Sequence, residues 1–455
     1  MKIALISTYE VGRQPFGLAS PAAWLRKRGH EVRCADVSRK PLDEETVSEA
    51  EMIGFYVPMH TAARMTLQII GPLRQMNPKA QFCVFGLYAR MNEVVFRKEG
   101  VESVFGAEFE EELAGLADEL SRYASNGKRS DEKGEGTIPR LKFEVPDRSG
   151  LPALKKYAHL VLPNGEHRTT GYTEASRGCK HLCLHCPVVP VYRGVFRIVQ
   201  PEVVLADIRQ QVKTGAKHIT FGDADFFNGI KHAMRIVEAL HEEFPELTYD
   251  ATIKIEHLRK HKKHLGRLRE TGCLLVTSAV ESLDDAVLEK LKKGHTRADF
   301  LEVLEDCGRE GLTLQPTFVP FTPWTTIEKY LELLETLREC GLEESVAPIQ
   351  LGIRLLIPAG SRLLELREIQ KICGPFDEKA LVHPWRHEDE RMDALATEVQ
   401  EIVAAGEKRK ETRREIFARI WRAARKSAGE CGELDSLPIL ADRATVPYLN
   451  EPWYC

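Results

Sequence analysis

Short, nearly uninterrupted apolar runs alternate with amphipathic stretches along most of this chain, and that alternation constrains the fold more than any other feature. In the first third, residues 2–8 (KIALIST), 51–57 (EMIGFYV), 81–86 (QFCVFG) and 101–106 (VESVFG) read as buried strands. Helical spacing fills the gaps, in PAAWLRKRGHEV closed by Gly29, in 65–76 and in 110–123. Strands that are apolar on both faces need covering on both, which calls for a parallel sheet between helix layers. Residues 1–123 are therefore expected to form a doubly wound, Rossmann-like domain. Its ligand-facing loops, beyond the carboxyl ends of the strands, would be 9–17, 58–62, 87–92 and 106–108.

The segment SNGKRSDEKGEG (125–136) has no apolar residue and cannot join a core, so 124–150 reads as a linker. Strand signals resume at 218–228, 248–254, 273–282, 312–321 and 349–358, with helical stretches such as 201–214 and 283–293 between them. Five or six βα units fall short of the eight of a closed barrel. A partial, TIM-like (β/α)6 barrel over 151–372 follows, with its chemistry at the carboxyl ends of the strands. The charged helical pattern at 388–427 begins a C-terminal region, 373–455, expected to pack on the barrel. The fold class is thus α/β with a helical extension, in keeping with a length of 455 residues, too long for one core.

A formal net charge of −4, with no long block of one sign, gives no electrostatic reason to expect nucleic acid or an anionic membrane as partner. No charged and apolar leader opens the chain and no run is long enough to cross a bilayer, so a cytoplasmic protein is expected. The 11 cysteines, an odd number, suit a reducing compartment. Cys34, Cys83, Cys273, Cys307, Cys340 and Cys373 read as inert packing residues.

The exception is SRGCKHLCLHCPVVP, where Cys179, Cys183 and Cys186 stand in Cys-x3-Cys-x2-Cys spacing with no fourth thiol nearby. Three thiolates can hold three corners of an iron–sulfur cubane and leave one iron open. A zinc site completed by His181 or His185 is the alternative, although zinc motifs usually come as two spaced pairs. The spacing, preceded by ASRG, resembles the signature of the radical SAM (S-adenosylmethionine) superfamily. That resemblance implies a [4Fe-4S] cluster at the three cysteines, SAM chelating the free iron, and an external electron donor such as flavodoxin or ferredoxin. It also implies reductive cleavage of SAM to a 5'-deoxyadenosyl radical that attacks a small-molecule substrate.

The same resemblance assigns SAM-binding residues. His185 takes the position of an adenine-contacting aromatic. Gly222, Asp223 and Asp225 of FGDADFF fall at the methionine amino group, and Ser278, Glu281 and Ser282 of SAVES at the ribose. Val319 and Ile357 would supply apolar surface to the adenine. From the residues alone, Asp223 or Asp225 serves equally well as a helix cap, and core packing is the commoner fate of Val319 and Ile357.

Domain order and the stretch VPDRSGLPALKKY resemble the cobalamin-binding group of radical SAM enzymes. This implies cobalamin as a further cofactor, and methyl transfer or another radical modification as the outcome. The Asp-x-His-x-x-Gly motif that gives a histidine to cobalt elsewhere is missing: the chain reads TYEVGRQPFG after its first strand, and His60 follows a different one. FGAEFEE (105–111) resembles a turn of that domain, though acids in a first helical turn also complement the helix dipole. The end, VPYLNEPWYC, is material for a docked tail. It resembles radical SAM chains that finish with Cys followed by Cys or selenocysteine and then Ala-Glu-Pro, which raises the expectation of a selenocysteine codon after Cys455. Cys455, docked near the barrel mouth, is a candidate substrate or metalloid thiol, and Cys431 an incidental one. The competing function class is a non-catalytic zinc or redox module using the same three cysteines.

Overall fold

A computed structural model of the chain describes residues 1–123, 138–430 and 446–450. The linker stretch 125–136, Cys431 and Cys455 lie outside them. Strands β1 (Lys2–Ser7), β2 (Glu31–Asp36), β3 (Met52–Tyr56), β4 (Gln81–Phe85) and β5 (Ser103–Phe105) form a parallel sheet in the order β2-β1-β3-β4-β5. Alternate side chains serve two cores: Ala4, Ile6 and Phe55 pack with Ile70 and Phe96 on one face, while Ile3, Leu5 and Phe85 pack with Leu18, Leu25 and Leu113 on the other. From β1 the chain goes to β2 on one side and then to β3 on the other, so the loops part at the carboxyl ends of β1 and β3 and leave a crevice there. Sequence reasoning missed β2. Its run EVRCAD is an edge strand with only Val32 and Asp36 buried, so it lacks the apolar signature of its neighbours.

The second sheet contains β6 (His159–Val161) and β7 (His167–Thr173), which pair antiparallel. Apart from it, β8 (Ser176–Gly178) pairs with β9 (Phe196–Ile198). Then β10 (His218–Phe221), β11 (Thr248–Thr252), β12 (Cys273–Glu281) and β13 (Thr313–Phe318) extend the sheet in parallel from β7, while β14 (Tyr448–Leu449) pairs antiparallel with β6. The order is β13-β12-β11-β10-β7-β6-β14, an open half-barrel. The first barrel strand, HRTTGYT, was not foreseen because only Gly171–Thr173 of it is buried.

The strand expected at 349–358 does not form. Pro348–Leu351 is a 3-10 turn, and pairing beyond it reduces to one bridge, Phe321 with Arg354, held by Phe321 N–H to the Ile353 carbonyl (3.2 Å) and Leu355 N–H to the Phe321 carbonyl (2.8 Å). Pro320 and Pro323 flank Phe321 and lack the N–H groups a longer ladder would use. Helices Glu390–Arg409 and Arg413–Ser427 add Leu395, Val399, Phe417 and Ile420 to the barrel's core. No helix among the described residues is long and apolar enough to cross a membrane.

The two sheets meet around one buried cation. Arg177, on β8, forks onto Glu110 of the first unit (Nη2 to Oε1 2.6 Å, Nη1 to Oε2 2.9 Å) and donates Nε–H to Glu174 (2.7 Å). The rings of Phe143, Phe109 and Phe16 surround its guanidinium at 4.8, 5.5 and 5.8 Å. Two residues later comes Cys179, so this contact also fixes where the cysteine loop begins.

Candidate functional site

The loop from Cys179 to Val195 leaves β8 and returns into β9. Gly178 makes its start feasible: its φ is +72°, and a Cβ there would fall 2.3 Å from the Val195 carbonyl oxygen and 2.4 Å from the Tyr192 ring, so only glycine fits. The three thiols are buried or half-buried. Burial raises the Cys179 thiol above its ordinary pKa and pushes Cys186 up to about 12, where the neighbouring sulfurs of Cys183 and Cys179 add to the effect. Clustered thiols of which Cys179 and Cys186 resist ionisation call for a cation to hold them as thiolates.

Neither histidine of the loop is committed to the thiols. His185 Nε2 lies 3.0 Å from Glu281 Oε1, and His181 Nε2 lies 3.4 Å from His257 Nε2. Glu281 ends β12 at φ +70°, a left-handed conformation that costs a non-glycine residue strain and is met most often at functional sites. Lys293 Nζ also reaches Glu281 Oε1 (3.3 Å). Burial opposes ionisation of Glu281, but Lys293 and His185 overcome it and bring the carboxyl down to about 2. Around this charge stand polar atoms without a hydrogen bond: Ser278 Oγ, His185 Nδ1 and both ring nitrogens of His295, which makes only a loose approach to the Val280 carbonyl. Burial, aided by Lys293 and Lys254, brings His295 down to about 4, so the ring is neutral. Buried donors and acceptors left open in this way fit a polar ligand carrying both hydroxyl and charged groups.

The other expected residues fall into three kinds of surroundings. Gly222 is required by packing, since a Cβ would sit 1.8 Å from the Tyr172 hydroxyl. Asp223 is fully engaged in tying β10 to the approach to β8: it accepts from Ala175 N–H (3.0 Å) and from the Ser176 hydroxyl, and burial raises its carboxyl to about 7. Asp225 caps the turn Phe226–Gly229 through Oδ1 and turns Oδ2 to His257 Nδ1 at 2.7 Å. Ser282 is occupied within a turn, accepting Asp284 N–H. Val319 and Ile357 join a small apolar cluster with Leu184 of the cysteine loop and Trp385. Sequence reasoning overlooked Asn228, whose Nδ2–H donates to Cys179 Sγ (3.5 Å), and took LEKLKKGHT only as a stretch resembling the radical SAM superfamily, without naming its Lys293 and His295. Asn228 carried no signal beyond following FGDADFF.

In the first unit, Ser7 Oγ and Glu10 Oε2 are buried at and just beyond the carboxyl end of β1 without hydrogen-bond partners, while Asp36, at the end of β2, has the Tyr157 hydroxyl and Ser38 beside its carboxylate. Such a polar set suits the amide-rimmed edge of a corrin. His60 is engaged elsewhere, its Nε2 on the Ala380 carbonyl (2.7 Å).

Comparison with known proteins fits this geometry to a family. Residues 173–334, which span the cysteine loop and the strands from β8 to β13, match the radical SAM superfamily. They form a radical SAM domain. Among characterised relatives, the tRNA-2-methylthio-N(6)-dimethylallyladenosine synthase of Desulfosudis oleivorans is 24% identical over 287 residues, covering 60% of this chain and 60% of that protein. The chain therefore spans about three fifths of that relative. In fold it is similar to OxsB, a cobalamin-dependent S-adenosylmethionine radical enzyme solved with aqua-cobalamin and S-adenosylmethionine (TM-score 0.66, 14% identity, 89% of this chain and 66% of that one). It is likewise similar to the radical S-adenosylmethionine methyltransferase TsrM from Kitasatospora setae, solved with cobalamin and a [4Fe-4S] cluster (TM-score 0.59, 16% identity, 75% and 70%). At 89% of this chain, the likeness to OxsB takes in much of the Rossmann-like unit as well as the radical SAM domain.

Proposed function

We propose that the protein is a radical SAM enzyme, with Cys179, Cys183 and Cys186 holding a [4Fe-4S] cluster whose fourth iron takes no side chain. The observation that carries this reading is that both histidines of the loop are turned to other partners, His185 to Glu281 and His181 to His257, leaving three thiols and no fourth ligand among them. When bound, the cluster supplies the electron that cleaves SAM reductively to methionine and a 5'-deoxyadenosyl radical.

The chain's own residues bind and orient. Glu281, held ionised, is placed to accept hydrogen bonds from ribose hydroxyls, and Lys293 offers its ammonium to a carboxylate. His185 keeps its ring beside Glu281 with Nδ1 free for the base. Asn228 steadies the Cys179 sulfur, and the apolar cluster around Leu184 and Ile357 shields that side from water.

Cobalamin is part of the proposal. The polar atoms of Ser7 and Glu10 at the end of β1 would receive it, and methyl transfer is the outcome that best fits such an architecture. The substrate is proposed to be a small molecule, since a net charge of −4 gives no electrostatic reason to expect a nucleic acid. A flavodoxin or ferredoxin would donate the electron. Cytoplasmic placement is supported by the nine described cysteines, all free thiols.

Anaerobic reconstitution tests the assignment. The wild-type chain should form 5'-deoxyadenosine from SAM and a strong reductant, and Cys183→Ala should form none while the Rossmann-like unit stays folded. Stoichiometric zinc with no 5'-deoxyadenosine would replace this reading with a metal-binding module.

A further inference from the structure

Beside the thiols stands a second set of metal-ligating groups. Among the described residues, His181, Asp225 and His257 form a trio whose donor atoms all lie within 4.8 Å of one another. They come from three places in the chain: the cysteine loop, the turn after β10, and the helix Ile255–Lys260 that follows β11. Nothing in the proposed cleavage of SAM requires them to meet.

Asp225 Oδ2 lies 2.7 Å from His257 Nδ1, and Glu256 Oε2 lies 3.6 Å from His181 Nδ1. The two Nε2 atoms face each other at 3.4 Å. The separation is long for an N–H···N bond. It matches the roughly 3.3–3.4 Å between two donors on a tetrahedral ion with bonds of about 2.0–2.1 Å.

Asp225 supplies the independent observation. Its side chain has no solvent exposure, and Oδ2 has no hydrogen-bond partner of acceptable geometry, the close contact to His257 being too bent to count. That oxygen lies 3.8 Å from His181 Nε2. A positive neighbour, Lys254, is offset by Glu256, with Nζ 3.3 Å from its Oε2.

We propose that His181, His257 and Asp225 form a mononuclear site for a divalent first-row transition ion, separate from the three thiols, with Glu256 facing His181 Nδ1. Two imidazoles and a carboxylate are donors of intermediate softness, suited to zinc, iron(II) or cobalt(II) rather than to calcium or magnesium. Asp225 thereby has a different task from the SAM contact that resemblance alone assigns it.

Co(II) tests this on the full chain with the thiols removed (Cys179→Ser/Cys183→Ser/Cys186→Ser), so the result does not depend on cluster assembly or SAM cleavage. The chain should bind one Co(II) with visible d–d bands and no thiolate-to-cobalt charge transfer. His257→Ala and His181→Ala should abolish that spectrum, and Glu256→Gln should weaken binding by about 10- to 100-fold. Metal analysis of the anaerobically purified wild-type chain, which needs no substitution to fold, should find one transition ion beyond the iron of the cluster. Absence of stoichiometric Co(II) binding by a thiol-free chain with native circular dichroism would overturn the proposal. So would binding that His257→Ala and Glu256→Gln leave unchanged. Failure here leaves the radical SAM reading intact, and loss of 5'-deoxyadenosine formation in the wild-type chain would leave this one intact.

Discussion

Replacing Arg177 with Met should separate the electrostatic from the steric contribution of the contact between the two units. Methionine keeps much of the side-chain volume among Phe16, Phe109 and Phe143 but removes five donors. Glu110, whose side chain is fully buried, then keeps only the Ser20 hydroxyl (2.6 Å) against its charge, and Glu174 loses its 2.7 Å partner. Breaking a buried pair by removing one member costs about 3–5 kcal/mol, because the remaining charge stays desolvated. Set against a typical domain stability of about 5–15 kcal/mol, this is a large loss. Arg177→Met/Glu110→Gln removes both charges, and a neutral, well-packed replacement costs far less. The double variant should therefore recover about 2 kcal/mol or more of the sum of the two single losses. Urea unfolding of the apo chain under reducing conditions, followed by circular dichroism and tryptophan emission, reads all four proteins. Strict additivity, or a loss below about 1 kcal/mol for Arg177→Met, would refute the claim that this ion pair joins the units.

Other consequences are open to the same kind of check. Gly222→Ala drives a methyl group into the buried Tyr172 hydroxyl at 1.8 Å and should cost about 1–3 kcal/mol by overpacking, seen as a lowered urea midpoint. Asn228→Leu removes the hydrogen bond to the Cys179 sulfur and should make the reconstituted cluster's reduction potential more negative, measured by EPR-monitored titration. Glu281→Gln should raise the Kd for SAM by about tenfold, equivalent to one charge-assisted hydrogen bond, in equilibrium dialysis. His295 is held neutral, with a folded pKa of about 4 against 6.5 unfolded, so the unfolded chain binds the extra proton between those values. Stability from this residue is complete above pH 6.5 and falls by on the order of 3 kcal/mol as pH drops toward 4. The wild-type minus His295→Gln difference in urea stability should show that slope, and a flat difference would contradict it.

The parts of the fold visible in the letters were those whose burial is written as apolar runs. β1, β3 and β4, and β10 and β11, announce themselves because both faces are covered, while β5, β12 and β13 are legible from short or alternating apolar runs. β2 and β7 do not: one lies at a sheet edge, and the other buries mainly a glycine, a tyrosine and a threonine. The strand expected at 349–358 failed for a reason also present in the sequence, Pro320 and Pro323 around Phe321, the residue it pairs with. The thiols of the site were equally plain, since three cysteines at that spacing have few other uses. Asp223 and Asp225 were read together but part company in space, one tying β10 to the cysteine loop's approach and the other facing His257. Lys293, Asn228 and His257 were not singled out, because a lysine in a charged helical stretch or an asparagine in a turn acquires meaning only from what the fold brings beside it.

The central claim is an iron with no protein ligand, free to chelate SAM. EPR of the reduced, reconstituted cluster with and without SAM tests it most directly: the account expects a [4Fe-4S] signal whose g-values move when SAM is added, with isotope-labelled methionine nitrogen coupled to the cluster. A signal indifferent to SAM, or thiols saturated by zinc with no cubane formed, would contradict it.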